Sequence, residues 1–329
     1  MSAGGTPDRA RIVEVLMNAG PVNPEPTLAA AMDRIAGELV GRRYELELVL
    51  AAVDAGRDIV LEGPPGTSKT TMLKAITEQW SIPLVFVEGN ADLTPAKLVG
   101  HHNPARVLQE DYSTANFVPG PLVEAMQAGG FLYIEEFNRA PEDTLNTLLT
   151  AMADRKIAVP RAGMVTARPS FRVIASMNPL DDVGTTRLST SVHDRMCRLA
   201  VGYQDAASEE AITGLRTELR TAALEPGLRD RLIADAVAVT RATRVHPDVR
   251  QGSSVRGAID CVLVASGLTR LRGVSASQDE GYGAVLLDAM IVALSGRIHL
   301  DGAAQATPEQ ILRAIWEEHL VLLAAAAPG

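Results

Sequence analysis

Three observations in the sequence predict an α/β core followed by an all-helical domain. Short apolar runs at 59–61, 84–87, 131–134, 171–175 and 199–201 alternate with longer stretches of helical character such as 122–128 and 143–153. Short buried strands in that alternation build a parallel sheet covered by helices on both faces. A glycine-rich turn follows the first run, at the point where such a sheet passes the chain from strand to helix. Beyond Asp205 the strand-like runs stop, and Ala/Leu/Arg-rich helical patterns occupy about 206–220, 227–243, 255–271, 283–298 and 308–324. The domains expected are an N-terminal arm over 1–26, an α/β core over 27–204 and a helical domain over 205–329.

The elements follow in order. In the arm, Ile12, Val13 and Leu16 make a short amphipathic piece between Gly/Pro-rich flanks, the pattern of a loosely ordered terminus. From Thr27 to Ala55 the spacing Leu28, Met32, Ile35, Leu39, then Leu46, Leu48, Val49, Leu50, Val53 predicts two helices broken near Gly41-Arg42-Arg43. The run Ile59, Val60, Leu61 then leads into Gly63-Pro64-Pro65-Gly66-Thr67-Ser68-Lys69-Thr70, followed by Thr71 and the helical Met72-Leu73-Lys74-Ala75-Ile76. Strand, glycine turn and helix start make a phosphate-binding loop. Its backbone N–H groups and the positive helix end converge on a β-phosphate, Lys69 reaches the β- and γ-phosphates, and the Thr70 hydroxyl ligates magnesium. The nucleotide-binding set is therefore Gly63, Pro64, Pro65, Gly66, Thr67, Ser68, Lys69, Thr70 and Thr71. The loop pattern has glycine where this chain has Ser68, so serine fits only if that position does not need a positive φ.

Composition sets the bounds. The chain has 329 residues, 47% apolar, with a formal net charge of −9. It contains no eighteen-residue apolar run and no signal-like start, so neither a membrane span nor secretion is indicated, and a cytoplasmic protein is expected. Cys197 and Cys261 are far apart and have no ligand-like partners, which argues against a disulfide framework or a zinc site. The acidic balance weighs against nucleic acid as a partner. Lysine occurs only at positions 69, 74, 97 and 156, so its presence in the loop is informative.

Other residues can complete a phosphoryl-transfer site. Phe131-Leu132-Tyr133-Ile134-Glu135-Glu136 is an apolar strand ending in two carboxylates. Beside a phosphate loop, Glu135 is the candidate for the magnesium shell and Glu136 the candidate base for the attacking water. Phe171-Arg172-Val173-Ile174-Ala175-Ser176-Met177-Asn178-Pro179 ends in an amide that can hold that water or touch a γ-phosphate, although Asn-Pro alone is a turn signal. His193-Asp194-Arg195-Met196 and Ser254-Val255-Arg256 offer arginines. Each supplies charge to a transferring phosphoryl group or forms a surface ion pair. His101-His102 lacks a further ligand at suitable spacing and reads as loop, and 157–170, with Gly163 between Val159 and Val165, reads as a hairpin.

Loop, Glu-Glu strand, Asn178, Arg195 and Arg256, in this order, resemble the AAA+ ATPases and specifically the MoxR family, over about residues 38–318. Gly120-Pro121-Leu122, Glu136-Phe137-Asn138-Arg139-Ala140-Pro141, Gly252-Ser253-Ser254-Val255-Arg256, and Gly296-Arg297 with Thr307-Pro308-Glu309 resemble that family's own signatures. The resemblance implies an AAA+ P-loop NTPase core with a helical lid, assembled as a homo-oligomeric ring, a hexamer, with ATP and Mg2+ between subunits. By it Arg195 is a finger acting in trans, Arg256 a lid arginine sensing the γ-phosphate and Asn178 the sensor amide. The stretch 98–119 and the 157–170 hairpin are the insertions lining the ring centre. Work as a maturation chaperone is implied, with a von Willebrand A domain partner and a client enzyme. Leu98-Val99-Gly100-His101-His102 and Tyr133-Ile134-Glu135-Glu136 resemble the subset linked to molybdenum-containing carbon monoxide dehydrogenase-type enzymes. Two positions depart from the family, which usually has aspartate at Glu135 and often glycine at Ser68. Two alternatives stand beside this reading: a DNA-dependent motor of the same superfamily, and a nucleotide-gated scaffold that hydrolyses slowly.

Overall fold

The computed structural model describes residues 28–105, 116–161, 163–179, 188–274 and 279–326. The expected N-terminal arm with Ile12, Val13 and Leu16, and Tyr112 of the first insertion, lie outside them. The chain divides into two compact units. One comprises residues up to Gly202 except Pro65–Thr67, and the other takes those three together with the chain from Tyr203 onward.

The first unit runs α1 (Leu28–Glu38), α2 (Arg43–Asp54), β1 (Asp58–Glu62), α3 (Lys69–Gln79), β2 (Leu84–Glu88), α4 (Pro95–Val99), β3 (Gly100–His102), β4 (Phe117–Pro119), α5 (Pro121–Ala128), β5 (Phe131–Glu135), α6 (Glu142–Asp154), β6 (Lys156–Val159), β7 (Gly163–Thr166), β8 (Arg172–Met177), α7 (Thr190–Arg195) and β9 (Met196–Ala200). Five strands form one sheet in the order β2-β5-β8-β1-β9, every neighbouring pair parallel. The carboxyl ends of β1, β5 and β8 therefore share one edge, the edge at which open α/β sheets bind ligands.

The apolar runs are continuous because the sheet is buried on both faces, and the period of two sorts their side chains. Val60, Leu132, Ile134, Val173 and Ala175 pack on one face with Leu122 and Met126 of α5 and Leu145 and Leu148 of α6. Ile59, Leu61, Phe131, Tyr133 and Ile174 pack on the other with Leu46 and Val49 of α2 and Met72, Leu73 and Ile76 of α3. Each large apolar side chain buried this way contributes about 1.5–3 kcal/mol. At the opposite edge, buried Asp58 accepts from Arg155 Nη1 and Nη2 (3.2 and 2.8 Å) and from the Val173 backbone N–H (2.8 Å). Burial raises the Asp58 pKa, against the pull of Arg155 in the other direction.

Residues 98–119, expected as a loop, contain a short antiparallel ribbon, β3 with β4. His102 is packed edge-on to Phe117, with ring centroids 5.4 Å apart. Among the described residues no cluster of His, Cys, Asp or Glu suits a metal. The expected hairpin is formed by β6 and β7, with Val159 opposite Gly163.

The second unit contains α8 (Ala206–Thr221), α9 (Pro226–Ala242), β10 (Val249–Gln251), α10 (Val255–Arg272), α11 (Asp279–Leu294), β11 (His299–Leu300) and α12 (Pro308–Ala326). Its core joins Leu232, Ala236 and Val239 of α9, Cys261, Val262 and Ala265 of α10, Leu286 and Met290 of α11 and Leu312 of α12. The expectation that strands stop at Asp205 needs one correction, since β10 and β11 pair as an antiparallel ribbon. Strands of three and two residues carry too little periodicity to be seen in sequence. The helix expected over 283–298 spans 279–294 and passes into a 3-10 turn, Ser295–Arg297.

Candidate functional site

The site is assembled where β1 ends. The Gly63 backbone N–H donates to the Met177 carbonyl (3.1 Å), and a Cβ on Gly63 would stand 2.0 Å from the Val201 carbonyl oxygen. Only glycine allows β1 and the end of β9 to approach so closely. Gly66 follows with φ 77°. Ser68 has φ 65° and ψ 19°, left-handed, and its side chain makes no cap hydrogen bond. The condition set by the sequence is thus not met: the position does take positive φ, and serine occupies it at a backbone cost. α3 starts at Lys69, so the N–H groups of Thr70 and Thr71 in its first turn have no acceptor within the helix and point back toward the loop. Lys69 Nζ donates to the carbonyls of Gly63 and Pro64 at 2.7 and 2.9 Å, placing its ammonium over the loop.

Thr70 meets the acidic strand directly. Its Oγ1 donates to Glu135 Oε1 at 2.8 Å and lies 3.1 Å from the Tyr133 hydroxyl, which is 2.8 Å from Ser176 Oγ. Tyr133 and Glu135 alternate on the sheet face that α3 covers, and Ser176 lies on the same face of the next strand, two residues beyond Ile174. Tyr133 is fully buried, and burial, with a smaller contribution from Glu135 and Glu136, raises its pKa, so the phenol is an O–H donor at neutral pH. Glu136 stands just past the strand in a left-handed conformation (φ 54°), and its Oε2 pairs with Arg139 Nε at 3.2 Å. Buried Asn138 donates from Nδ2 to the Asn178 carbonyl at 3.4 Å and so ties the turn after β5 to the end of β8. Asn178 is half-buried beyond Met177.

The structure brings together Lys69 with the loop and Thr70 with Glu135, and Asn138 joins Asn178 to the same edge. Arg195 is not part of these contacts: it is exposed at the last residue of α7, where Nη1 donates to the Ser191 carbonyl of its own helix (3.1 Å). Arg256 is exposed in the first turn of α10, in the second unit. The sequence reading did not single out Tyr133, Ser176, Asn138 or Arg139 for chemistry. The signal for Tyr133 and Ser176 was their two-residue period with Glu135 and Ile174, which places polar atoms on a buried face.

The donor set fits a magnesium ion. A hydroxyl and a carboxylate, both hard oxygen donors already 2.8 Å apart, lie next to a phosphate loop. Magnesium takes one or two protein oxygens and completes its shell with water and phosphate oxygens. Thr70 and Glu135 would hold it, and bound there it would neutralise charge on a triphosphate.

A family model described as AAA domain (dynein-related subfamily) matches residues 58–196, the span from β1 to the start of β9 that carries the contacts of Lys69, Thr70, Glu135, Glu136 and Asn138. Over that span the chain carries an AAA domain, in keeping with its resemblance to AAA+ ATPases. It is 26% identical over 249 residues to the gas vesicle ATPase GvpN of Ancylobacter aquaticus, a match covering 70% of this chain and 66% of that relative, just under two thirds. It is 28% identical over 261 residues to YeaC of Bacillus subtilis (strain 168), covering 73% of this chain and 78% of YeaC. Among solved structures, a variant of RuvB from Thermotoga maritima shares the fold at 16% identity with a TM-score of 0.50, covering 78% of this chain and 70% of that one. The parallel sheet is the central element of that domain, and a helical region follows it. Among the described residues no helix is long and apolar enough to cross a membrane.

Proposed function

We propose that this chain is a cytoplasmic, ring-forming ATPase that uses Mg-ATP to remodel or mature a protein complex or metalloenzyme. The observation that carries the reading is the Thr70–Glu135 hydrogen bond at the sheet edge beside Lys69, which unites the phosphate loop with the acidic strand. In this reading Lys69 exchanges its two loop carbonyls for phosphate oxygens, and the backbone N–H groups from Gly66 into the first turn of α3 take the β-phosphate. Glu136 accepts the proton of the attacking water, and Asn178 orients that water. Arg195 of a neighbouring subunit and Arg256 of the helical domain supply positive charge to the equatorial oxygens of the transferring phosphoryl group. Arg195 is exposed at a helix end, as a residue serving another subunit must be. A hexameric ring, a von Willebrand A domain partner and a client enzyme of the carbon monoxide dehydrogenase type extend the reading from the MoxR signatures. The matched relative named as a gas vesicle ATPase supports ATP-driven work.

The test is turnover of Mg-ATP by the purified chain, with Glu136→Gln expected to lower the rate about 10²–10⁴-fold while retaining bound ATP. Absence of both turnover and trapping would overturn the reading. A nucleotide-gated scaffold is favoured by one observation, the left-handed Ser68, and rapid single-turnover hydrolysis by the wild type excludes it.

A further inference from the structure

The hydroxyls beside the candidate cation site form a chain whose direction follows from counting protons. Thr70 has one hydroxyl proton, and an ionised carboxylate only accepts. In the 2.8 Å contact the proton of Thr70 therefore goes to Glu135 Oε1. Thr70 Oγ1 must then accept in its 3.1 Å contact, so the Tyr133 O–H donates to it. With its only proton directed there, Tyr133 accepts from Ser176 Oγ at 2.8 Å. The order Ser176 to Tyr133 to Thr70 to Glu135 has no second solution while Glu135 is ionised.

The wiring has a consequence for the Thr70 oxygen. Of its two lone pairs, one takes the Tyr133 proton, and one remains. We propose that Tyr133 and Ser176 are positioning residues that preset Thr70 to offer a single lone pair to a divalent cation arriving with a nucleotide, while Glu135 receives the hydroxyl proton. This rests on the Mg-ATP reading of the site. Tyr133 is 0% and Ser176 1% exposed, so no bulk water competes for either hydroxyl. The Tyr133 ring is held in place by Phe86, packed edge-on with centroids 5.7 Å apart.

The experiment measures the affinity of a fluorescent ADP analogue in EDTA and in magnesium chloride. The ratio of the two affinities is the coupling between cation and nucleotide, and thermal melting of each variant checks its fold. Tyr133→Phe keeps the ring and removes only the donor; it is expected to reduce the coupling ratio about tenfold, the scale of lost outer-shell support to a metal ligand. The affinity in EDTA should stay at the wild-type value, which a merely structural defect would not allow. Ser176→Ala, one bond further away, is expected to reduce the ratio about threefold. A wild-type ratio in both variants overturns the proposal and leaves the Mg-ATP reading intact. A wild-type protein whose nucleotide affinity does not depend on magnesium overturns both.

Discussion

Ser68 holds φ 65° without a hydrogen bond from its own side chain to compensate. A non-glycine residue in that region costs about 1–2 kcal/mol, of which glycine's greater freedom in the unfolded chain would take back about 0.5–1 kcal/mol. Ser68→Gly is therefore expected to stabilise the nucleotide-free protein by about 0.5–1 kcal/mol, read as a higher urea midpoint at unchanged m-value. An unchanged or lower midpoint would mean that the loop gains something from the serine that outweighs its backbone strain. The serine was visible in sequence as a departure from the loop pattern, but its conformation was not. Propensity alone favours ordinary dihedrals at Ser68, and the demand for positive φ comes from the chain reversal between a fixed strand and a fixed helix. Glu135 was legible in the same partial way. Its type and place at a strand end pointed to a cation site, yet the direct bond to Thr70 depends on β5 and α3 being packed against each other.

At the scale of elements, the helical unit is tied together by one buried carboxylate. Asp235 of α9 accepts from the Tyr282 hydroxyl of α11 at 2.6 Å and lies 3.0 Å from His319 Nε2 of α12. The Arg231 guanidinium sits 3.7 Å from the same carboxylate and 4.2 Å above the Tyr282 ring. Burial, and then the charge of Asp235, push the Tyr282 phenol well above its ordinary pKa, so it remains a donor. Tyr282→Phe removes one donor from a charged acceptor that is 4% exposed, and is expected to cost about 1.5–3 kcal/mol in urea unfolding. A loss below about 0.5 kcal/mol would show that Arg231 and His319 suffice to hold Asp235. The helices themselves were legible from their apolar spacing. Their clamp was not, because Asp235, Tyr282 and His319 stand on three helices and share no sequence period. The β10–β11 ribbon escaped for the related reason that each strand is specified by its partner rather than by its own pattern.

At the scale of the whole molecule, the proposed mechanism requires a site that one chain does not complete by itself. Arg195 is exposed and bonded within its own helix, so its charge is available to another subunit. Arg195→Ala and Lys69→Ala are each expected to abolish turnover, and mixing the two under conditions of subunit exchange should restore a measurable fraction of wild-type ATPase. Absence of recovery with exchange demonstrated would remove Arg195 from a trans role. By itself the sequence determined the α/β core, the helical region after it, the phosphate loop, the order of the acids and arginines, and through them the resemblance to AAA+ ATPases. It could do so because each is written locally, in apolar period or in contiguous motif. Only the tertiary structure decided the left-handed Ser68, the Glu135–Thr70 bond and the hydroxyl chain through Tyr133 and Ser176. Those join residues 65 and 43 positions apart, and the packing of helix on sheet, not the local pattern of either, sets which polar atoms meet.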